Sequence, residues 1–185
     1  MTVSVQEVAR YLRMGGNVPD GALAARVVEL LASAESVLRP ARIWRRLPVA
    51  QIPAPGTTLL RHLDGCAEAY LACGTLGPGL DALQRRVSVT SGADALIMQA
   101  IGAAAIEKAM DEMEREIGSD LLPDETTVSR YSPGYGDFPL EAQRPILALL
   151  DTPRKIGVSL TDSLLMVPSK SVSAVIGVKK GSQPE

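Results

Sequence analysis

The chain has 185 residues, a formal net charge of −2 and a sequence pI near 5.5, with 46% hydrophobic residues, two cysteines and one histidine. That length predicts one compact domain, and a charge so close to zero supplies no general attraction to nucleic acid or to an anionic membrane. Cys66 and Cys73 are too few for a disulfide framework or a four-cysteine zinc site.

Residues 1–16 mix Glu7, Arg10 and Arg13 into their apolar positions, unlike a secretory signal, so the cytoplasm is the expected location. Val5, Val8, Ala9 and Leu12 recur at helical spacing, Gly15-Gly16-Asn17 ends that segment, and Pro19-Asp20 opens another. The second helix carries Leu23, Val27, Leu30, Leu31, Ala34 and Val37 on one face and stops near Pro40. Over 41–49 the period changes to alternation, predicting a half-buried strand with Ile43 and Leu47 on one side. The Arg42/Arg45/Arg46 cluster reads as its solvated face, with a partner-docking patch as the alternative.

A second strand is expected over 67–73, followed by the glycine-rich loop 74–79 and a short helix through Leu80, Leu83 and Arg86. Strand, loop and helix resemble a phosphate cradle. Yet the spacing fits neither GxxxxGK[ST] nor GxGxxG, and Pro78 removes an amide donor where a cradle needs one. Ser91 and Asp94 can cap a long helix running to about Ile117. Its first half is apolar on nearly every face and is expected at the centre of the core, with Gly102 serving close packing. The stretch 93–106 is too short for a membrane span. Acids from Asp111 to Glu116 read as an exposed helix face.

After a polar connection over 118–129 comes Arg130-Tyr131-Ser132-Pro133-Gly134-Tyr135-Gly136-Asp137. Arginine offers five donors in a rigid plane and can hold a carboxylate bidentately. Pro133-Gly134 is a turn dipeptide whose glycine can take positive φ and admit a ligand to the backbone. In 139–150, Pro145 breaks one helix or starts a short one. Stretches 158–167 and 171–178 read as two strands of a hairpin joined by Pro168-Ser169-Lys170, and the tail 179–185 is expected to fray. The single histidine, His62, has no nucleophile elbow beside it and cannot alone build a catalytic metal site, so the residues point to binding at Arg130 and not to a self-sufficient catalyst. One α+β domain is expected, a twisted antiparallel sheet flanked by helices.

The segment Arg130–Tyr135 resembles the RxxxGY motif of the activation domain of cobalamin-dependent methionine synthase, which binds S-adenosylmethionine. Downstream, Gly157-Val158-Ser159-Leu160-Thr161-Asp162-Ser163 is similar to that domain's G-x-x-L-T-[ED]-S. Met166-Val167-Pro168-Ser169-Lys170-Ser171-Val172-Ser173 is similar to its M-x-P-x-x-S-V-S. The similarity covers 121–178 firmly and is diffuse before it, although 74–81 and 94–112 look like short, freestanding members of the family. Lys170 stands where the fused domain has a small residue.

The resemblance implies that Arg130 meets the methionyl carboxylate, with Pro133, Gly134, Tyr135 and Gly136 lining the path beside it. Asp124 is the candidate for the ammonium, with Glu125 in reserve, and Ser171 and Ser173 would offer a strand edge to the adenosine. The chain is expected to divide into a helical segment 1–40 of the same domain, an S-adenosylmethionine-binding α+β body over 41–178 and a frayed tail over 179–185. The implied role is reactivation: with a methyl group from S-adenosylmethionine and one electron from a flavodoxin-like donor, Co(II) cobalamin carried by a partner synthase is returned to methylcobalamin. The chain would be a component of that methyltransferase activity. Two alternatives stay open, a ligand-free docking protein for a corrinoid methyl carrier and a nucleotide-binding protein using the Gly74–Gly79 loop.

Overall fold

The computed structural model describes residues 3–15, 17 and 19–181. The expected break at Gly16 and the tail 182–185 lie outside the described residues. Helix α1 (Val5–Tyr11) starts at a capping box, in which Ser4 Oγ accepts from the Glu7 amide and the Glu7 carboxylate from the Ser4 amide. Helix α2 (Gly21–Val37) follows, then strand β1 (Ala41–Pro48), helix α3 (Gly56–His62), strand β2 (Cys66–Thr75), helix α4 (Gly79–Thr90) and the 28-residue helix α5 (Gly92–Ser119). The second half adds strand β3 (Glu125–Thr127), helices α6 (Gln143–Leu150) and α7 (Thr152–Ile156), two short strands β4 (Ser159–Leu160) and β5 (Met166–Val167), and strand β6 (Ser171–Lys180).

The fold is α+β, as the sequence indicates, with a four-stranded antiparallel sheet in the order β1-β2-β6-β3. Alternation on the central strands sorts their side chains to two sides. Tyr70, Ala72, Ala174, Ile176 and Val178 meet Met110, Met113 and Ile117 of α5, whereas Ala69, Leu71, Cys73 and Val175 meet Leu59, Phe138, Ile146 and Leu150 on the opposite face. The first half of α5 packs instead with α1, α2 and α4. Gly102 does serve close packing: a Cβ there would stand 2.7 Å from Lys170 Cε and 3.0 Å from Leu80 Cδ2.

Three sequence expectations change. Stretch 158–167 does not pair with β6; it folds on itself, β4 against β5, through the Thr161 amide bonded to the Leu165 carbonyl at 2.9 Å with Leu164 at φ +65°. Strand β6 is apolar on both faces and takes the place between β2 and β3, continuing through Lys180 where a frayed tail was expected. Of the three β1 arginines only Arg45 is exposed as expected; Arg42 and Arg46 are not solvated. Arg42 pairs with Glu112 and Glu116 of α5, and Arg46 bridges Glu68 and the fully buried Glu125 carboxylate at 2.6 Å each.

The Gly74–Gly79 loop is filled by its neighbours. A Cβ on Gly79 would lie 2.5 Å from the Val37 carbonyl oxygen and one on Gly77 3.1 Å from that of Arg39, while the Gly77 amide is taken by Thr75 Oγ1. Its glycines admit the end of α2, leaving no room on that side for a phosphate. No helix among the described residues is long and apolar enough to cross a membrane.

Candidate functional site

The segment after β3 crosses the edge of β6, where Tyr131 and Val175 exchange both backbone hydrogen bonds, at 2.9 and 2.8 Å, and the Val128 amide donates to the Gly177 carbonyl. This short pairing sets the side-chain alternation. Tyr131 packs with Phe138, His62 and Tyr135, and Arg130 reaches α5. There Glu107, Asp111 and Glu114, spaced to share one helical face, surround its guanidinium. Nη2 donates to Glu107 at 2.5 Å, and Nη1 donates to Asp111 at 2.8 Å and to Glu114. Among the described residues three of its five donors are engaged. Partial burial works against the charge, but the carboxylates of Glu114, Asp111 and Glu107 outweigh it and raise the guanidinium pKa.

The turn beyond Arg130 is tied at its far end as well. Gly134 takes φ +94° and its amide donates to the Phe138 carbonyl at 2.8 Å. The Asp137 carboxylate accepts from the Thr57 and Thr58 amides, both at 2.8 Å, at the start of α3, and from the Thr58 hydroxyl. Those donors, the Thr58 hydroxyl foremost, hold its carboxyl well below the usual range. Gly136, at φ +54°, turns its α-carbon against Thr58 and Tyr131, where a Cβ would be 2.5 Å from Thr58 Oγ1 and 2.8 Å from Tyr131 Oη.

Between this turn, α5 and the start of β6 lies a cleft of about 340 Å³, within the usual range for small-ligand sites. Arg130 and Glu107 form one wall, Pro133 and Tyr135 another, and Ser171, Val172 and Ser173 the floor, with Gln143 and Met166 alongside. Tyr135 is two-thirds exposed at this cleft. Two of the lining residues carry the only buried side-chain polar atoms without a partner among the described residues, Ser173 Oγ and Gln143 Oε1. Ser171 is satisfied, its hydroxyl donating to Pro168 O and bonded to Thr75 Oγ1.

Of the residues singled out from sequence, Arg130, Pro133, Tyr135, Ser171 and Ser173 come together here. Gly134 and Gly136 shape the turn and do not line the cleft. Asp124 is not brought to it: its carbonyl accepts from the Gly181 amide at the opposite end of β6, on the order of 25 Å from Ser173 at about 3.3 Å per strand residue. The reserve, Glu125, is committed to Arg46 and the Leu122 amide. The acid beside Arg130 in the cleft is Glu107, which with Gln143 and Met166 is not among the expected site residues, although Met166 opens the M-x-P-x-x-S-V-S stretch. Its signal is readable, since Glu107 is the first acid after Asp94 in α5 and closes the apolar run between them, with Asp111 and Glu114 following on the same face.

Residues 106–183 match the family described as vitamin B12 dependent methionine synthase, activation domain. Among solved structures the chain is similar to a crystal structure of the MetH reactivation domain bound to AdoHcy, with 16% identity, a TM-score of 0.65, and 98% of this chain and 76% of that one covered. At that identity the likeness establishes a shared fold. No curated protein matches the chain. Over residues 106–183 the chain resembles the activation domain of cobalamin-dependent methionine synthase, as its motifs indicate.

Proposed function

We propose that the chain binds S-adenosylmethionine in the cleft beside Arg130 and acts in the cytoplasm as the reactivation partner of a cobalamin-dependent methionine synthase. The observation that carries this reading is the pair of orphaned buried atoms, Ser173 Oγ and Gln143 Oε1, on two residues of the cleft that Arg130 lines. A buried polar group without a partner costs roughly 1–3 kcal/mol, a cost that a polar ligand offsets. The charge arrangement supports the same ligand. The methionyl carboxylate takes the two remaining donors of Arg130, and Glu107, in place of Asp124, takes the ammonium. One guanidinium among three carboxylates leaves the wall net negative, which favours a ligand carrying both an ammonium and a sulfonium.

The corrin carried by the partner supplies the cobalt that accepts the methyl group, and a flavodoxin-like donor supplies the one electron that balances methyl transfer to Co(II) with release of the neutral thioether. This chain's residues contribute position. Arg130 fixes the amino-acid end, the Pro133–Tyr135 turn bounds the ligand path, and the cleft excludes water, so the gain is one of orientation.

The test is calorimetric titration with S-adenosylmethionine, first alone and then with a candidate corrinoid partner in the Co(II) state. Arg130→Ala is expected to weaken binding by about 1.5–3 kcal/mol. Equal affinity in wild type and variant would remove Arg130 from the site, and activation unchanged by the variant would favour ligand-free docking.

A further inference from the structure

A second cleft, of about 410 Å³, lies between α1 and α5 and is lined by Tyr11, Leu12, Arg13, Gln99, Ala103 and Lys170 among others. Lys170 enters it by an unusual route. Its stem lies over Gly102, where any Cβ would stand 2.7 Å from Cε and 3.2 Å from Cδ, so the glycine is the notch that carries the ammonium to α5. Once there, Nζ reaches only the Gln99 carbonyl, at 3.5 Å, the outer limit of a hydrogen bond. No ion pair joins it among the described residues. Asp81, the acid whose field it feels, is already engaged by the Ser169 amide at 2.9 Å and the Ser169 hydroxyl at 2.6 Å. The Lys170 side chain is partly buried while its ammonium faces the cleft, and that burial pulls its pKa down.

Two cationic side chains, Lys170 and Arg13, line the cleft, while burial and then the charges of Glu107 and Asp111 raise the Tyr11 phenol pKa, so an anion is favoured on the Lys170 and Arg13 side. Arg13 is exposed, at φ +56°, and has no ion pair among the described residues. Tyr11 is 44% exposed and brings a phenol to the same cleft. Leu12, Leu96, Ala100 and Ala103 make the remaining surface apolar. We propose that this cleft is a binding site for an oxyanion, the carboxylate or phosphate of a ligand with a partly apolar body, held by Lys170 and Arg13 with Tyr11 as a further donor. The cleft shares no lining residue with the Arg130 cleft, although the two are neighbours: Ala103 here and Glu107 there are one turn apart on α5, about 6 Å along its axis.

The experiment is an NMR titration of the ¹⁵N-labelled full chain in low-salt, phosphate-free buffer, one arm with inorganic phosphate and one with isobutyrate. Saturable shifts of the Tyr11, Arg13, Ala103 and Lys170 amides in either arm are expected, and the arm that saturates first identifies the anion chemistry. Lys170→Met keeps the stem over Gly102 while removing the charge, and should weaken the response at least about tenfold, the scale of a charge-assisted contact. Should that variant fail to fold, Arg13→Gln at an exposed position carries the comparison, with a loss of about threefold expected. Shifts that do not saturate, that sodium chloride at equal ionic strength reproduces, or that persist unchanged in the folded variant would overturn the site.

Discussion

Arg130 and Glu107 form an ion pair at 2.5 Å across the wall of the cleft although 23 positions separate them in the chain. The pairing depends on the Tyr131–Val175 bridge, which fixes the register of the crossing segment against β6. A guanidinium held this way is already oriented when a ligand arrives, so little conformational freedom is lost on binding. Its cost is competition, because an incoming carboxylate must share Arg130 with Glu107, Asp111 and Glu114.

The first prediction separates Glu107 from Asp124. Glu107→Gln keeps the shape of the wall and removes one negative charge beside Arg130, so S-adenosylmethionine should bind more weakly by about 1 kcal/mol. Asp124→Asn, at the far end of β6, should leave affinity unchanged. Calorimetry with the opposite pattern would move the ammonium subsite away from α5.

Ser173→Ala should divide stability from binding. The Oγ of Ser173 is buried and unpartnered, so deleting it relieves the unliganded protein and should raise stability by roughly 1 kcal/mol. Ligand affinity should fall by a similar amount. Urea unfolding alone and with ligand reads both quantities, and a Ser173→Ala protein less stable when unliganded would mean that the hydroxyl has a partner after all.

Much of this was legible in the sequence, and the misses share a cause. Helices α1, α2 and α5 and strands β1, β2 and β6 follow from local period and capping, because Leu, Val and Ile at those spacings bury one face whatever they meet. Two supposedly solvated groups, Arg42 on β1 and Asp111–Glu116 on α5, could not be read singly. Each looks exposed alone, and they neutralise one another only after β1 is placed in the sheet: Arg42 takes Glu112 and Glu116, leaving Asp111 and Glu114 for Arg130. Asp124 lies away from the cleft for a related reason, since proximity to Arg130 in sequence says nothing of which end of β6 it joins. The RxxxGY turn, by contrast, was readable because Pro133 and Gly134 impose their backbone locally.

The turn should be more sensitive at Gly136 than at Gly134. Both have positive φ, but a Cβ at Gly136 would press within 2.5 Å of Thr58 Oγ1 and 2.8 Å of Tyr131 Oη, whereas at Gly134 the nearest atom, Leu140 Cδ1, is 3.4 Å away. Gly136→Ala should cost about 2 kcal/mol or more of stability, and Gly134→Ala about 1. Thermal unfolding of the two variants gives the order, and equal losses would show that backbone strain alone decides.

Acid should expose the Arg46–Glu125 pair. Two donors from Arg46, assisted by the Leu122 amide, hold the buried Glu125 carboxyl at about 2, against an ordinary 4.5. A carboxyl depressed on folding contributes stability that is fully present above the unfolded value and is lost as the pH falls through the folded one. This contribution therefore holds at pH 7 and declines from about pH 4.5 towards 2. Glu125→Gln cannot titrate, so it should be less stable than wild type at pH 7, with the gap narrowing as acid is added. Glu7, Asp94, Glu116 and Asp137 are lowered too and will destabilise both proteins in acid, which makes the difference between the two urea-unfolding profiles the quantity to follow. Profiles that stay parallel from pH 7 to 3 would mean that Glu125 titrates alike in the folded and unfolded chains, and that Arg46 holds it no more tightly than solvent does.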